Sequence, residues 1–418
     1  MPKTQEIETK LGYKKNKLGW IPEDWNSKKL FEITSYVDYR GKTPTKVSEG
    51  IFLVTAKNIK NGYIDYNASS EFISKTDFSQ VMSRGEVKIG DVLITTEAPL
   101  GNLAQIDKNG IALAQRVIKY RGAENIINNE YLKYFMLSYA FQKELILEST
   151  GSTVKGIKGS RLHKLPINFP ELKEQKAIAN CLSTWDEALV KLDHLIAAKQ
   201  QLKKALMQQL FSGKKRLPGF KGKWEEFQFS DITKRVKRKN TEANNTVVTI
   251  SAQRGFVLQE DFFNKRVASD TLLNYTLVHR GEFCYNKSYS NGYPMGAFKR
   301  LDDFDKAVVT TLYICFSLKK NVDSDFMIQY FEAGKMIPGL MRIAQEGGRA
   351  HGLLNISLPD FFSLPVRLPS LEEQTVIAQV LNTADNEIKL LTTQRKQLQA
   401  QKKGLMQQLL TGKKRLKV

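Results

Sequence analysis

The chain has 418 residues, which predicts two to four domains, and its hydrophobic content of 41% allows each domain to bury a core. The formal net charge of +21 at pH 7 favours a polyanionic partner, above all nucleic acid, over an ordinary soluble protein of high pI. The sequence has no long apolar run and no apolar signal core, which argues against a membrane span, and three cysteines without a pairing pattern favour a reducing cytoplasm.

Residues 1–164 form the first predicted domain. Strand-like stretches such as GIFLVTAKNI and GDVLITT precede a helical one, NEYLKYFMLSYAFQKELI, which predicts an α/β domain with a mixed sheet. The polar loops DYRGKTPTK, TAKNIKNGY and TTEAPLGN carry side-chain types that contact phosphates and base edges. The candidate DNA contacts in this domain are Arg40, Lys42, Lys57, Asn58, Thr95 and Lys155.

Residues 165–217 predict a long helix. Pro170 lies where proline is tolerated at a helix start, and Gly213 lies where glycine commonly ends one. The roughly 40 residues between them would span about 60 Å at about 1.5 Å per residue.

Residues 218–363 form the second predicted α/β domain. The stretch KAVVTTLYICFSL is typical of strands, and DSDFMIQYFEAG is typical of a helix. Its loops YNKSYSNGYPMG and EGGRAHG supply further candidate DNA contacts, which are Lys287, Ser288, Tyr289, Asn291, Arg349 and His351. Each of these residues taken alone is more often an ordinary solvated loop residue. As a set on a basic scaffold, some of them are expected to contact DNA.

Residues 364–418 repeat the first long helix. The stretch LMQQLFSGKKRL returns as LMQQLLTGKKRL, with Leu206 corresponding to Leu405, 199 positions later. The same offset aligns LPINFPELKEQKAIANCL with LPVRLPSLEEQTVIAQVL, and Trp25 with Trp224. The chain is therefore a tandem duplication in which each copy holds a variable domain and then a shared helix.

The ends of the second long helix also carry local signals. Ser370, followed three residues later by Glu373, predicts a capping box at its start. Pro369 precedes this start, and Gly412 lies where the helix is expected to end.

Apolar residues recur every three or four positions along both predicted helices, which is the pattern of a coiled-coil seam. The residues expected at a helix–helix or partner interface are Leu182, Trp185, Leu189, Leu192, Leu206, Leu210, Leu381, Ile388, Leu391, Leu398, Leu405 and Leu409. The seam is interrupted by Lys199, Lys203, Arg395 and Lys402. The pattern favours an antiparallel, pseudo-twofold pair of helices over helices that each pack only on their own domain, and the overall fold class is α+β.

The sequence lacks the motifs of common enzymes. YVDYRGKT resembles a phosphate-binding loop, but Tyr36 occupies the place of its first glycine and Pro44 follows where a helix should run. The four histidines are scattered without metal-ligand spacing, so no metal site is expected. GxSxG and adenine-methyltransferase signatures such as DPPY or NPPF are also missing from the sequence. We therefore expect binding and geometry from this chain rather than chemistry.

The paired LP…P.L.EQ..IA..L segments, the paired MQQL..GKKRL ends and GDVLITTEAPLGN resemble the specificity subunits of type I restriction–modification systems. The resemblance covers essentially the whole chain. It implies target-recognition domains at residues 1–164 and 218–363, with helical spacers at 165–217 and 364–418.

The resemblance also implies a division of labour. Each recognition domain would read half of a bipartite, asymmetric double-stranded DNA site, and the helices would fix the spacer. Two modification subunits would bring S-adenosylmethionine and methylate adenine, and restriction subunits would use ATP and Mg²⁺. No cofactor and no catalytic residue is expected in this chain.

Two alternatives remain open from the sequence. A basic coiled-coil scaffold would bind all DNA duplexes equally and have no sequence preference. A self-contained nuclease or methyltransferase would need the motifs that the sequence lacks.

Overall fold

The computed structural model describes residues 10–39, 44–264, 271–344 and 354–417. The chain divides into two compact units, of which unit 1 comprises residues 1–193 with 394–418 and unit 2 comprises residues 194–393. The unit boundaries therefore fall inside the two long helices, whereas the sequence analysis placed domain boundaries at the helix ends. Each unit combines one variable domain with part of both long helices.

Unit 1 is a mixed α/β body. Its strands are β1 (Tyr13–Asn16), β2 (Gly19–Pro22), β3 (Asn26–Lys29), β4 (Thr34–Asp38), β5 (Ile51–Val54), β6 (Phe72–Ile73), β7 (Val92–Thr96), β8 (Leu100–Gln105), β9 (Ala112–Leu113), β10 (Val117–Gly122) and β11 (Pro166–Phe169). Its helices are α1 (Leu30–Ile33), α2 (Phe78–Val81), α3 (Asn129–Leu137), α4 (Tyr139–Leu147), α5 (Gly159–Leu162) and the first part of α6 (Leu172–Leu210).

Unit 2 has the same general composition. Its strands are β12 (Glu225–Gln228), β13 (Thr233–Arg235), β14 (Val248–Ser251), β15 (Gly255–Leu258), β16 (Thr276–His279), β17 (Phe283–Asn286), β18 (Ala297–Arg300), β19 (Lys306–Val309), β20 (Ile314–Leu318) and β21 (Pro365–Leu368). Its helices are α7 (Phe229–Ile232), α8 (Gln259–Phe263), α9 (Ser324–Glu332), α10 (Ile337–Ile343), α11 (Leu358–Phe362) and the first part of α12 (Leu371–Leu409).

The two units share a sheet topology although their interior sequences differ. Unit 1 has a four-stranded antiparallel sheet in the order β4-β10-β7-β8, and unit 2 has one in the order β13-β20-β17-β18. A second pair, β11-β3 in unit 1 and β12-β21 in unit 2, joins the start of each unit to the strand that precedes its long helix. The duplication read from the sequence therefore extends to the variable domains.

The two long helices have equal length and the expected ends. Both α6 and α12 contain 39 residues. Gly213 and Gly412 follow them with φ of 69° and 68°, in the left-handed region that glycine adopts without steric cost. Ser370 Oγ accepts a hydrogen bond from Glu373 N (3.4 Å), but Arg216 Nε donates to Glu373 Oε1 (2.6 Å). The predicted capping box is thus half formed, because the glutamate is held by an arginine instead.

The helical stretch NEYLKYFMLSYAFQKELI forms two helices, α3 and α4. Ser138 separates them with extended backbone (ψ of 152°), and its side chain accepts a hydrogen bond from Phe141 N (3.4 Å). Such a side-chain bond satisfies a donor at the start of α4, so the chain can begin a new helix there. Among the described residues, no helix is long and apolar enough to cross a membrane.

Within unit 1, the first part of α6 and the last part of α12 run antiparallel. Arg395 lies 2.5 Å from Asp193, Lys402 pairs with Asp186, and Arg415 beyond the helix end lies 2.5 Å from Glu174. Residue numbers rise along one helix as they fall along the other, which is the register of an antiparallel pair.

Unit 2 contains the corresponding pairs. Lys203 lies 2.6 Å from Asp385, and Arg216 pairs with Glu373. These are the positions of Lys402–Asp186 and Arg415–Glu174 in the other copy, with the two helices exchanged. The internal duplication therefore gives each unit the same antiparallel helix packing.

Each unit has its own hydrophobic core at the junction between its sheet and the long helices. In unit 1, Trp25 and Tyr120 are fully buried together with Leu182 of α6 and Leu409 of α12. In unit 2, Phe229, Phe316 and Phe361 are fully buried, and their cluster extends to Leu210 and Leu381 of the same two helices. Packing against a core orients the sheet and its loops relative to the adjoining helix segments.

Candidate nucleic-acid interface

Four polar loops of unit 1 meet at one end of its sheet, and we call them loop cluster 1 (residues 55–58, 97–99, 115–116 and 150–156). Ile157 N donates to Thr96 O (3.0 Å), and Thr96 N donates to Arg116 O (2.9 Å). Glu97 forms a β-bridge with Gly156. Three of the loops follow strands β5, β7 and β9, and the fourth follows helix α4, so the fold brings together residues that are far apart in the sequence.

Loop cluster 1 carries more positive than negative charge. Lys46, Lys57 and Arg116 line a cavity of about 250 Å³ together with Glu71. Lys46 lies 2.7 Å from Glu71, and its hydrogen bond holds the pKa of that carboxyl below its ordinary value. Lys57 and Lys155 are exposed and form no ion pair within the described residues. Two cations thus remain free for a phosphate or a base edge.

Arg116 has a backbone conformation that is uncommon for any residue except glycine. Its φ is 72°, and its carbonyl accepts hydrogen bonds from both the amide (2.9 Å) and the hydroxyl (3.3 Å) of Thr96. Its guanidinium lies 2.7 Å from the exposed Glu97. Residues held in this region often occur at functional sites, because surrounding contacts must stabilise them.

The folded chain uses the side chains of two predicted DNA contacts in unit 1 internally, so neither side chain is exposed at the surface. Asn58 is fully buried, and its carboxamide bonds to Thr55 N and Oγ1 and to the carbonyls of Asp65 and Ser69, at 2.8–3.0 Å. Thr95 is also fully buried, and its hydroxyl accepts a hydrogen bond from Asn102 N (3.0 Å). The Asn58 side chain holds the loop that contains the exposed Lys57, and the Thr95 hydroxyl joins β7 to β8.

Unit 2 places its predicted contacts in a comparable position, which we call loop cluster 2 (residues 252–254 and 287–296). Lys287, Ser288, Tyr289 and Asn291 follow β17 and precede β18, just as residues 97–99 connect β7 and β8 in unit 1. The Tyr289 side chain is 64% exposed. Gln253 Nε2 donates to Asn291 O (3.0 Å), which attaches the β14–β15 turn to this loop.

The predicted contacts did not include three polar residues of the two clusters, Arg116, Gln253 and Arg254. Lys46, which lines the cavity beside loop cluster 1, was not predicted either. The tripeptide Ala-Gln-Arg occurs in both units, ending at Arg116 and at Arg254, next to a strand in each case. This repeated tripeptide could have identified these residues from the sequence, although the two copies are not separated by the 199-residue offset. The predicted contacts Arg40, Lys42, Arg349 and His351 lie outside the described residues.

The predicted helix interface residues lie on the shielded side of α6 and α12. Leu182, Leu210, Leu381 and Leu409 are buried. The remaining predicted positions are half-buried: Trp185, Leu189, Leu192, Leu206, Ile388, Leu391, Leu398 and Leu405. Their assignment to a helix–helix interface or to an interface with a partner stays a prediction.

Two polar, basic loop clusters on one duplicated scaffold are the features of a nucleic-acid-binding protein with two binding units. The sequence profile described as the type I restriction modification DNA specificity domain matches residues 22–204 and again residues 221–400. These matches cover most of the chain, once in each copy. The chain belongs to this type I restriction–modification DNA specificity family.

Relatives and solved structures agree with this membership. The chain is 24% identical to the type I restriction enzyme MjaVIII specificity subunit of Methanocaldococcus jannaschii, over 95% of this chain and 94% of that protein. It is 26% identical to the putative MjaX specificity subunit of the same organism, over 97% of each chain.

The fold is also similar to solved structures. An S subunit from M. genitalium matches with a TM-score of 0.53 and 15% identity, over 92% of this chain and 96% of that chain. A chain from a study of complex assembly and conformational transition in the type I restriction–modification system matches with a TM-score of 0.56 and 16% identity, over 94% and 99%.

Proposed function

We propose that this chain is the specificity subunit of a type I restriction–modification complex, in which each unit reads one half of a bipartite, asymmetric DNA site. The observation that carries the proposal is the pairing of a shared sheet topology with different loop clusters in the two units. A common scaffold with different loops presents different side chains to two DNA segments. Two half-sites of different sequence are the expected target.

Binding through two linked units suits this task. Once one unit holds its half-site, the second contact is intramolecular, so its effective concentration is high. Both long helices continue from one unit into the other, and we propose that their length sets the unread spacer. The net charge of +21 supports a large phosphate contribution to affinity.

The chemistry belongs, in this proposal, to partner subunits. Two methyltransferase subunits dock on this chain, bring S-adenosylmethionine and methylate adenine, which requires extruding the base from the duplex. Restriction subunits with ATP and Mg²⁺ join them. Exposed apolar side chains on the long helices in unit 2, at Leu195, Leu202 and Leu390 (43%, 53% and 70%), support docking of a protein there. We place the complex in the cytoplasm, where its three free cysteines stay reduced.

The test is methylation of a randomised duplex library, read by sequencing of modified adenine. The full chain is purified alone and with the methyltransferase subunit of the same host. We expect modification only in the joint reaction, at one bipartite motif. Methylation by the chain alone would place chemistry here, and modification without a motif would favour a non-specific basic scaffold.

Variants in the loop clusters test which unit reads which half. Tyr289→Ala with Asn291→Ala should relax one half of the motif, and Lys57→Ala with Arg116→Ala should weaken or relax the other. A matched control is Lys319→Ala with Lys320→Ala, which removes exposed cations outside both clusters. If each pair changed both halves equally, the assignment of one half-site to each unit would be wrong.

A further inference from the structure

Unit 2 contains a cavity of about 680 Å³ that neither loop cluster lines. It lies beside the end of α6, the segment that leads to β12, and the connection between α9 and α10. Six cationic side chains line it: Lys214, Lys221, Lys223, Lys335, Arg342 and Arg367. Its volume falls within the range of about 300–1,000 Å³ that is usual for small-molecule sites.

These six cations are not neutralised by the protein. None of them forms an ion pair within the described ranges of the chain, and each is exposed to solvent. A seventh cation, Arg216, also lines the cavity but is bound to Glu373. Glu226 is the acidic residue of the lining. The cavity therefore concentrates positive charge that a multiply charged anion would compensate.

The duplicated position in unit 1 lacks two of these cations, although it has the same scaffold. At the 199-residue offset, Asp24 stands in place of Lys223, and Asn168 stands in place of Arg367. Asp24 binds Arg415 at 2.9 Å. Unit 1 thus carries an acid where unit 2 carries a base at one of these positions. These two cations are therefore not required by the fold.

The cationic side chains of the lining are hydrogen-bond donors as well as charges. Phosphate oxygens accept hydrogen bonds from ammonium and guanidinium groups alike, and hydrogen bonds between such charged partners are stronger than those between neutral groups.

We propose that this cavity in unit 2 binds a ligand that carries several phosphate groups. Six unpaired cations match a polyphosphate better than a single carboxylate. The phosphates belong either to a free nucleoside triphosphate or to the DNA backbone, and the experiment separates these sources. The proposal does not depend on how either unit reads bases.

The test compares the full chain with a variant that copies unit 1, Lys223→Asp with Arg367→Asn. The control is Lys319→Asp with Lys320→Asn, which has the same charge change at exposed positions outside the cavity lining. Isothermal titration calorimetry measures the affinity for ATP in the absence of Mg²⁺, which tests whether the ligand is a free nucleoside triphosphate. We expect at least tenfold weaker binding in the cavity variant and less than twofold change in the control.

Fluorescence anisotropy measures the affinity for a DNA duplex that lacks the target site, which tests whether the phosphates are those of the DNA backbone. If the ligand is the DNA backbone, the cavity variant should reduce the slope of log affinity against log salt by about 2 relative to the control. Urea unfolding verifies that each variant is folded, and Lys223→Gln with Lys335→Gln replaces the first variant if it is not.

Three results distinguish the outcomes. An effect in either arm supports the phosphate site and identifies its source. If the cavity variant does not differ from the control in either the ATP or the DNA measurement, the proposal is overturned. Binding of a hexaglutamate peptide as tightly as ATP would also overturn it. Methylation specificity is a separate readout, so its loss with intact phosphate binding counts only against the proposed function.

Discussion

Lys203 Nζ lies 2.6 and 2.7 Å from the two carboxylate oxygens of Asp385, and Gln329 Nε2 donates to the same carboxylate at 2.8 Å. One aspartate on α12 thereby joins the antiparallel helix α6 to α9 of the variable domain. In unit 1, Asp186 accepts hydrogen bonds from Lys402 and from the Tyr134 hydroxyl in the same way. The cations that interrupt the apolar seam are the groups that fix its register.

A double-mutant cycle with Lys203→Met and Asp385→Leu should give a coupling energy of about 1 kcal/mol at low salt, because the pair is partly shielded. The coupling should decrease as salt rises. Asp385→Leu alone should cost more than Lys203→Met alone, since it also removes the acceptor of Gln329. Urea unfolding measures all four proteins, and additive single effects would contradict the pair.

Arg415→Ala should lower the free energy of unfolding by about 2–3 kcal/mol. Arg415 donates to both carboxylate oxygens of Glu174 (2.5 and 2.6 Å), and the Glu174 side chain is only 2% exposed. Removing the arginine leaves a buried charge without its partner. Lys417→Ala, an exposed change in the same tail, is the control. Equal stability of the two variants in urea would contradict this role.

The same arginine should influence acid unfolding. Its hydrogen bond holds the pKa of Asp24 below the ordinary value, which is about 3.9. A depressed carboxyl pKa stabilises the fold above the unfolded pKa, and this contribution is lost as pH falls through the lower folded value. Below about pH 5, the wild-type protein should therefore lose more stability than Arg415→Ala. Urea unfolding curves from pH 7 to pH 3 measure this difference. If both proteins lost the same free energy of unfolding as the pH falls, this role of Arg415 would be excluded.

Neighbouring substitutions in loop cluster 1 should separate DNA binding from stability. Lys57→Ala should leave unfolding unchanged and reduce the salt slope of DNA binding by about 1, because Lys57 is exposed and unpaired. Asn58→Ala should lower the free energy of unfolding by about 2–3 kcal/mol, since it removes a fully buried carboxamide and leaves its partners unsatisfied. Lys75→Ala is the control for an exposed lysine outside the cluster. A stable Asn58→Ala protein would refute the buried role.

Two cysteine thiols should be inert in the folded protein. Cys284 and Cys315 lie opposite each other on β17 and β20, with their sulfurs 3.1 Å apart, and both are buried as free thiols. Burial raises the pKa of the Cys284 thiol well above its usual value, so its reactive thiolate is scarce. With a thiol reagent at pH 8, the half-buried Cys181 should be the one cysteine that can react quickly in the folded protein. Fast reaction of three thiols before unfolding would disprove this packing.

The sequence by itself determined the duplication and the long helices. Gly213 and Gly412 end helices of equal length, because cap and periodicity signals act within a few residues of the chain. The family resemblance rested on these same segments together with GDVLITTEAPLGN of the first domain, and the family profile confirms it. The variable domains showed no repeat at the 199-residue offset in their interiors, since their interior sequences differ.

Tertiary structure decided which residues share a surface. Lys57, Arg116 and Lys155 come from separate loops, and only the pairing of distant strands brings them to one end of the sheet. Asn58 has a side chain suited to reading a base, yet its neighbours in space use all of that side chain. Local propensity fixes where elements begin and end. Burial and hydrogen bonding, within folded loops as well as between distant strands, decide which polar groups remain available to a partner, because local propensity specifies neither of them.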